Sequence, residues 1–284
     1  MKFRQALVDA VIVTFLTLLP GTVWTKEGPN LVKEAINALN GSNIDGGMEL
    51  LERAIAEDPA NGKAHYFRGI GHDAKREFAK AAADYEKAIK LGEDNQSELF
   101  GRVGISQFNA GEAKKSVAAF DRYVELVPDR EAHLWQLGLA HYYAEMFEEG
   151  KAQFEVHESV NPNDVENALW HFLCVAKLKS PEVAKEGLLK TGHDSRVPMM
   201  ELWDLYAGKA TEAEVMAAAK AGEPDEKELR NRLCYTHLYL GLHAEVHGKT
   251  EKAKKHMKLA AEDYAMFHCM GEVSRVHRKV RGWE

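Results

Sequence analysis

Markers of one kind recur along this chain at a nearly fixed interval, and that interval restricts the fold more than any other feature. Pro128 and Pro162 lie 34 residues apart, as do Gly104 and Gly138, and Phe120 and Phe154. Gly69 and Tyr85 precede Gly104 and Phe120 by 35 residues, and Ala35 and Leu51 precede Gly69 and Tyr85 by 34. Three proline-centred endings, DPAN after Glu57, VPDR after Leu126 and NPND after Val160, each close a stretch of helical pattern. A period of this size holds one pair of antiparallel helices. Such a pair cannot bury its apolar face alone, so successive pairs must stack into a solenoid.

The small residue, the aromatic and the closing proline match the tetratricopeptide (TPR) pattern, and the chain resembles that family unit by unit. The most complete unit spans 131–164, with Leu137-Gly138, His141 where Tyr is usual, Phe154 in the second helix and Pro162 at the end. Unit 62–96 has Gly69, His72, Ala81, Tyr85 and Ala88, with Glu93 in place of the final proline. Unit 97–130 has Val103-Gly104, Gly111, Phe120 and Pro128, and the terminal unit 28–61 keeps Ala35, Gly47, Leu51, Ala54 and Pro59. The resemblance implies an all-α TPR solenoid, a right-handed superhelix of helix hairpins, with a C-terminal capping helix.

After Asp164 the pattern decays. Residues 165–224 read as a degenerate unit followed by an irregular helical insert, with a helix expected from Pro198 to Tyr206 and a capping box at Thr211 and Glu214. Residues 225–284 restore a last TPR hairpin through Leu240-Gly241, Gly248, Ala253 and Ala260, closed by a helix expected over Ala265 to Trp283.

Composition narrows the function classes. With 45% hydrophobic residues the chain is no disordered segment, and a net charge of -7 argues against a dedicated nucleic-acid binder. Cys174, Cys234 and Cys269 form no zinc spacing. Cys234 and Cys269 fall at equivalent places on neighbouring hairpins, where packed helices sit about 8–10 Å apart, beyond the reach of about 7 Å between Cα atoms that a disulfide needs. They are expected to be free thiols.

Residues 1–25 differ from the rest. Lys2 and Arg4 precede an apolar run from Ala10 to Leu19, which Pro20-Gly21 breaks. This is the order of a secretory signal, and a run that short falls below the roughly 20 residues of a membrane span. A cleaved export signal is expected, placing the mature chain in the periplasm, an organelle lumen or outside the cell; an uncleaved anchor and an organelle presequence are the alternatives. No integral membrane segment is expected in the mature chain.

Over residues 236–282 the chain also resembles the NlpI family of bacterial periplasmic TPR lipoproteins, although the lipid-bearing Cys of that family is missing. This resemblance implies a homodimeric adaptor that brings envelope proteases or cell-wall hydrolases to their clients.

In a TPR array the first helices of successive hairpins line a concave groove. By the register above, the groove carries Tyr66, Phe67, Ile70 and Asp73 in one unit, Arg102, Ile105 and Phe108 in the next, and Trp135, Leu139, Tyr142 and Tyr143 in the next. These residues predict a non-enzymatic scaffold holding a peptide or protein segment in an aromatic groove, with no cofactor and no nucleic acid. The alternative use of this stripe is burial by the protein's own C-terminal helix or by a second copy in a homodimer. Val32 and Ile36 stand where chaperone-tail clamps of this family need Lys and Asn, so that activity is not implied.

An enzyme reading competes from another class: a hydrolase or metal-dependent enzyme using the middle segment or the His243/His247 pair. The two histidines share a helix face, as zinc ligands would, but no acidic residue completes HExxH on that face, and no metal site is expected. His193, Asp194 and Ser195 are consecutive, whereas a triad needs its members to orient one another in space. The basic residues Lys249, Lys252, Lys254, Lys255 and Lys258 read as a solvated outer face, with contact to anionic lipid or an acidic partner as the alternative.

Overall fold

The computed structural model describes residues 30–266 and 269–284, and among these residues every regular element is a helix. The export signal expected at residues 1–25 lies outside the described residues. Four hairpins follow one another: α1 (Leu31–Asn40) with α2 (Ile44–Glu57), α3 (Gly62–Ala74) with α4 (Phe78–Lys90), α5 (Gln96–Asn109) with α6 (Ala113–Leu126), and α7 (Trp135–Tyr143) with α8 (Phe147–Glu158). Asparagine side chains start the early helices: Asn30, Asn43 and Asn61 each accept a bond from a backbone N–H three residues on. Helix α7 begins later than the repeat requires because Pro128 opens a short 3₁₀ turn, Pro128–His133, instead.

The markers of the repeat meet one another in space. A Cβ added at Gly69 would stand 2.6 Å from the Tyr85 ring, at Gly104 2.5 Å from Phe120, and at Gly138 2.6 Å from Phe154. In three successive hairpins the ring of the second helix lies on bare backbone of the first, and all three rings are buried. The period in the sequence is therefore the period of one close contact, which only glycine allows at that distance. The turn between the paired helices repeats as well, with positive φ at Ser42, Arg76, Gly111 and Glu145.

Beyond the fourth hairpin the stack thickens. Helix α9 (Val165–Leu178) has buried residues at every position from Val165 to Ala176, because VENALWHFLCVA offers no polar face and must be surrounded. It packs against α8, the short α10 (Pro181–Glu186), α11 (Met199–Tyr206) and α13 (Glu226–Val246). Between them, α12 (Glu212–Lys220) starts with the capping box of Thr211 and Glu214. Helices α13 and α14 (Thr250–Ala261) form the last hairpin, and α15 (Cys269–Arg281) closes the chain. The closing helix is shorter than the sequence suggested, since residues 262–266 leave the helix before it begins. One continuous core joins Phe108 on α5 to Val276 on α15, while the first units hold two smaller clusters of their own.

Candidate functional site

Adjacent first helices touch, α1 with α3 and α7 with α9, so their shared face is the inner face of the stack. Its N-terminal half is built on α3 and α5. The Tyr66 hydroxyl donates to Glu98 Oε1 at 2.6 Å, and Arg102, one turn after Glu98, donates to the same oxygen through Nε at 2.9 Å. The Arg102 guanidinium also lies over the Tyr66 ring, 5.4 Å from its centre. The Tyr66 hydroxyl beside it holds the Glu98 carboxyl below its ordinary range, with Arg102 adding to the effect. Deeper in, Asp73 accepts from Tyr85 and from Ser106, both at 2.8 Å; burial nevertheless raises its pKa. Tyr66, Phe67, Ile70 and Arg102 are half-buried and Ile105 is exposed, and the Tyr66 and Phe67 rings meet edge to face with centres 4.9 Å apart.

The C-terminal half is closed by the chain itself. Helix α15 lies along the ends of α3, α5 and α7. Glu272 pairs with Arg76, Lys279 covers Gly111, and His277 Nδ1 meets the Tyr143 hydroxyl at 3.0 Å. Arg281 donates to Glu245 Oε1 at 2.7 Å, and the Lys177 ammonium lies 3.6 Å from the same oxygen. His277 is fully enclosed, and burial pushes its pKa down to about 4.

This arrangement corrects four of the expected groove residues. Phe108, Leu139, Tyr142 and Tyr143 are buried and line no open surface. Tyr143 lies beneath α15, whereas Tyr142 is wedged among Phe147, Tyr143 and Trp170, with ring centres 5.2 to 5.6 Å apart. The helical register was right; the neighbours on that face, α9 and α15, take up the surface. Trp135, at the start of α7, stays half-buried at the rim. Glu98, which orients both Tyr66 and Arg102, escaped the sequence reading, although its spacing of four from Arg102 is that of a helical ion pair.

The features that suggested chemistry have structural occupations. The His243 and His247 rings lie against each other, tilted by 37° with centres 4.1 Å apart, and His247 Nδ1 donates to the His243 carbonyl at 2.8 Å; burial pushes His243 down to about 3. Among the described residues no group of three or more His, Cys, Asp or Glu side chains is placed to hold a metal ion. Asp194 accepts from Arg196 and from the Val165 backbone N–H, which fixes the loop to the start of α9. In the basic cluster, Lys252 pairs with Glu212 and Lys254 with Glu251. Cys234 carries a free thiol donating to the Ala260 carbonyl at 3.6 Å, and burial raises it to about 11; the side chain of Cys269 lies outside the described residues. None of the described helices is long and apolar enough to cross a membrane.

No protein-family model matches the chain. Solved structures do. A tetratricopeptide repeat protein from Parabacteroides merdae superposes with a TM-score of 0.54 at 16% identity, over 87% of this chain and 96% of that one. YrrB, described as a TPR protein with an unusual peptide-binding site, superposes with a TM-score of 0.50 at 17% identity, over 71% of this chain and 89% of that one. At such identities the likeness is one of fold, and the fold is the all-α TPR solenoid.

Proposed function

We propose that the chain is a non-enzymatic interaction scaffold that holds a peptide or protein segment in the open N-terminal half of its groove, against Tyr66, Phe67, Ile70, Arg102 and Ile105, with Trp135 at the far rim. The observation that carries this reading is the outward-facing platform of Tyr66 and Arg102, both oriented by Glu98, beside the exposed Ile105. Aromatic area and a fixed guanidinium supply contact at low entropic cost, as interface hot spots do. The peptide-binding site described for YrrB, on the same fold, is consistent with it. Export is part of the proposal, supported by the order of charged and apolar residues at 1–25, and so is assembly into a homodimer.

The test is capture of partners by the mature chain from its native compartment, compared with Tyr66→Ala and Ile105→Ala. These side chains are partly exposed, so the fold should survive, which circular dichroism checks. Each variant is expected to lower capture by about tenfold, the effect of losing one hot-spot side chain. Undiminished capture by the double variant would remove the groove from the function.

A further inference from the structure

A second recess opens where Trp135 meets the N-terminal turn of α9, a small cleft of about 50 Å³ bordered by Trp135, Trp170, Asn167, His157, Asp164 and Glu166. Its polar lining is one-sided. The Asn167 side-chain amide donates through Nδ2 to the Phe154 carbonyl at 2.9 Å, which leaves Oδ1 as a buried acceptor with no partner. His157 Nδ1 lies 2.8 Å from the Ala132 carbonyl, so that nitrogen carries the proton. Nε2 of the same ring is then a second buried acceptor with no hydrogen-bond partner, and the Asp164 carboxylate lies 3.9 Å from it. Both residues are more than nine-tenths buried. Trp170 donates its indole N–H to the Tyr239 hydroxyl at 3.2 Å, and Tyr239 donates in turn to Glu166 Oε2 at 2.5 Å, so Trp170 offers the cleft its ring alone.

The charge is one-sided as well. Asp164, Glu166 and Asp194 all converge on one guanidinium, that of Arg196. Three carboxylates around one cation leave an excess of negative charge beside two unpartnered acceptors. Burial pushes Glu166 up to about 7, with Arg196 and the Tyr239 hydroxyl acting the other way. The half-buried Trp135 indole, free acceptors and surplus carboxylate are the elements that bind an organic cation: a ring face attracts it through its quadrupole, and the acceptors take its N–H groups.

We propose that this cleft binds the ammonium or guanidinium of a lysine or arginine side chain presented by a polypeptide partner. The proposal rests on the groove reading for the bearer of the cation, since Trp135 joins the groove rim to the cleft. The cation itself is tested without the groove, by titrating the full mature chain with capped lysine, capped arginine, capped Nε-acetyl-lysine and n-butylammonium, followed by tryptophan fluorescence and calorimetry. Capped lysine or arginine should bind, and the neutral acetylated analogue should bind about tenfold more weakly or not at all, the scale of a desolvated cation–π contact. Trp135→Leu and the isosteric Glu166→Gln should each reduce cation binding severalfold, with thermal midpoints confirming that both variants fold. Equal binding of the acetylated analogue, unchanged binding by both variants, or no binding of either capped cation would overturn the assignment. Butylammonium, the lysine side chain without its backbone, should bind about as tightly as capped lysine; its binding where neither capped amino acid binds would overturn the polypeptide source. Undiminished peptide capture by the Tyr66→Ala, Ile105→Ala double variant with cation binding in the cleft intact would overturn the groove reading alone.

Discussion

The contact between Gly104 and Phe120 can be tested by one methyl group. Gly104→Ala places a Cβ 2.5, 2.6 and 2.8 Å from three atoms of the Phe120 ring, distances that real Cβ atoms do not hold. Phe120 is 1% exposed and part of the large core, so the ring has nowhere to swing. Forcing a methyl into a packed core costs about 1–3 kcal/mol, against which Ala gains roughly 1 kcal/mol over Gly in a helix interior. A clash with three atoms of an enclosed ring takes the upper part of that range, about 2–3 kcal/mol, so the expected net loss is about 1–2 kcal/mol, or some 2–8 °C in the unfolding midpoint of a chain this size. Gly101 supplies the control on the same helix. A Cβ there meets Tyr123 at 3.4 Å, an ordinary contact, so Gly101→Ala should keep most of the helix gain and raise stability by up to about 1 kcal/mol. Urea unfolding followed by circular dichroism measures both. If Gly104→Ala proves as stable as the parent, or if the two substitutions shift stability in the same direction, close approach is not what the repeating glycine provides. A partial recovery in Gly104→Ala with Phe120→Leu would place the cost in that pair.

Other tests address the closing helix. Arg76→Ala should leave Glu272 buried with Arg275 as its remaining cation among the described residues; we expect a loss of about 1–3 kcal/mol and faster amide exchange confined to α15. His277 gives a pH signature. Its folded pKa is depressed, so the unfolded chain takes up a proton near pH 6.5 while the native state refuses it down to about 4. Its contribution to stability is complete above that window and is lost as pH falls through it. Denaturation midpoints at pH 7.5 and 5 should separate more in the parent than in His277→Gln; equal separation would mean that the enclosed imidazole does not carry the effect.

The repeat was legible because a short contact admits few residue types. Gly, ring and proline recur wherever bare backbone must lie under an aromatic, and no knowledge of the rest of the chain is needed to see it. The half of the site on α3 and α5 followed from that register. The four buried residues were lost for a different reason. Whether Tyr143 faces solvent depends on α15, whose docking rests on pairs such as Arg76 with Glu272, separated by 196 residues. No periodicity announces such a pair. The burial of Tyr142 did leave a trace, since VENALWHFLCVAKL lacks the polar face of an outer helix and so required neighbours on every side. The unpartnered acceptors of the cleft left none, because Asn167 and His157 read as ordinary helical polar residues until the bonds of their other atoms are known.

The closing helix has a consequence for recognition. In a plain solenoid each unit touches only its neighbours, so curvature can vary along the array and the width of the groove with it. Here α15 contacts the turn after α3, the turn after α5, the end of α7 and the last hairpin at once. A strut across several units couples their relative angles, and bending the array would have to break the enclosed contacts of His277 and Glu272. If the groove binds as proposed, a strut that holds its open half at one width lowers the ordering cost of binding and narrows the range of partners that fit. Loosening the strut, as in Arg76→Ala, should accordingly weaken capture at Tyr66 and Ile105. Unchanged capture by that variant, with α15 exchange accelerated, would show that the groove keeps its width without the strut.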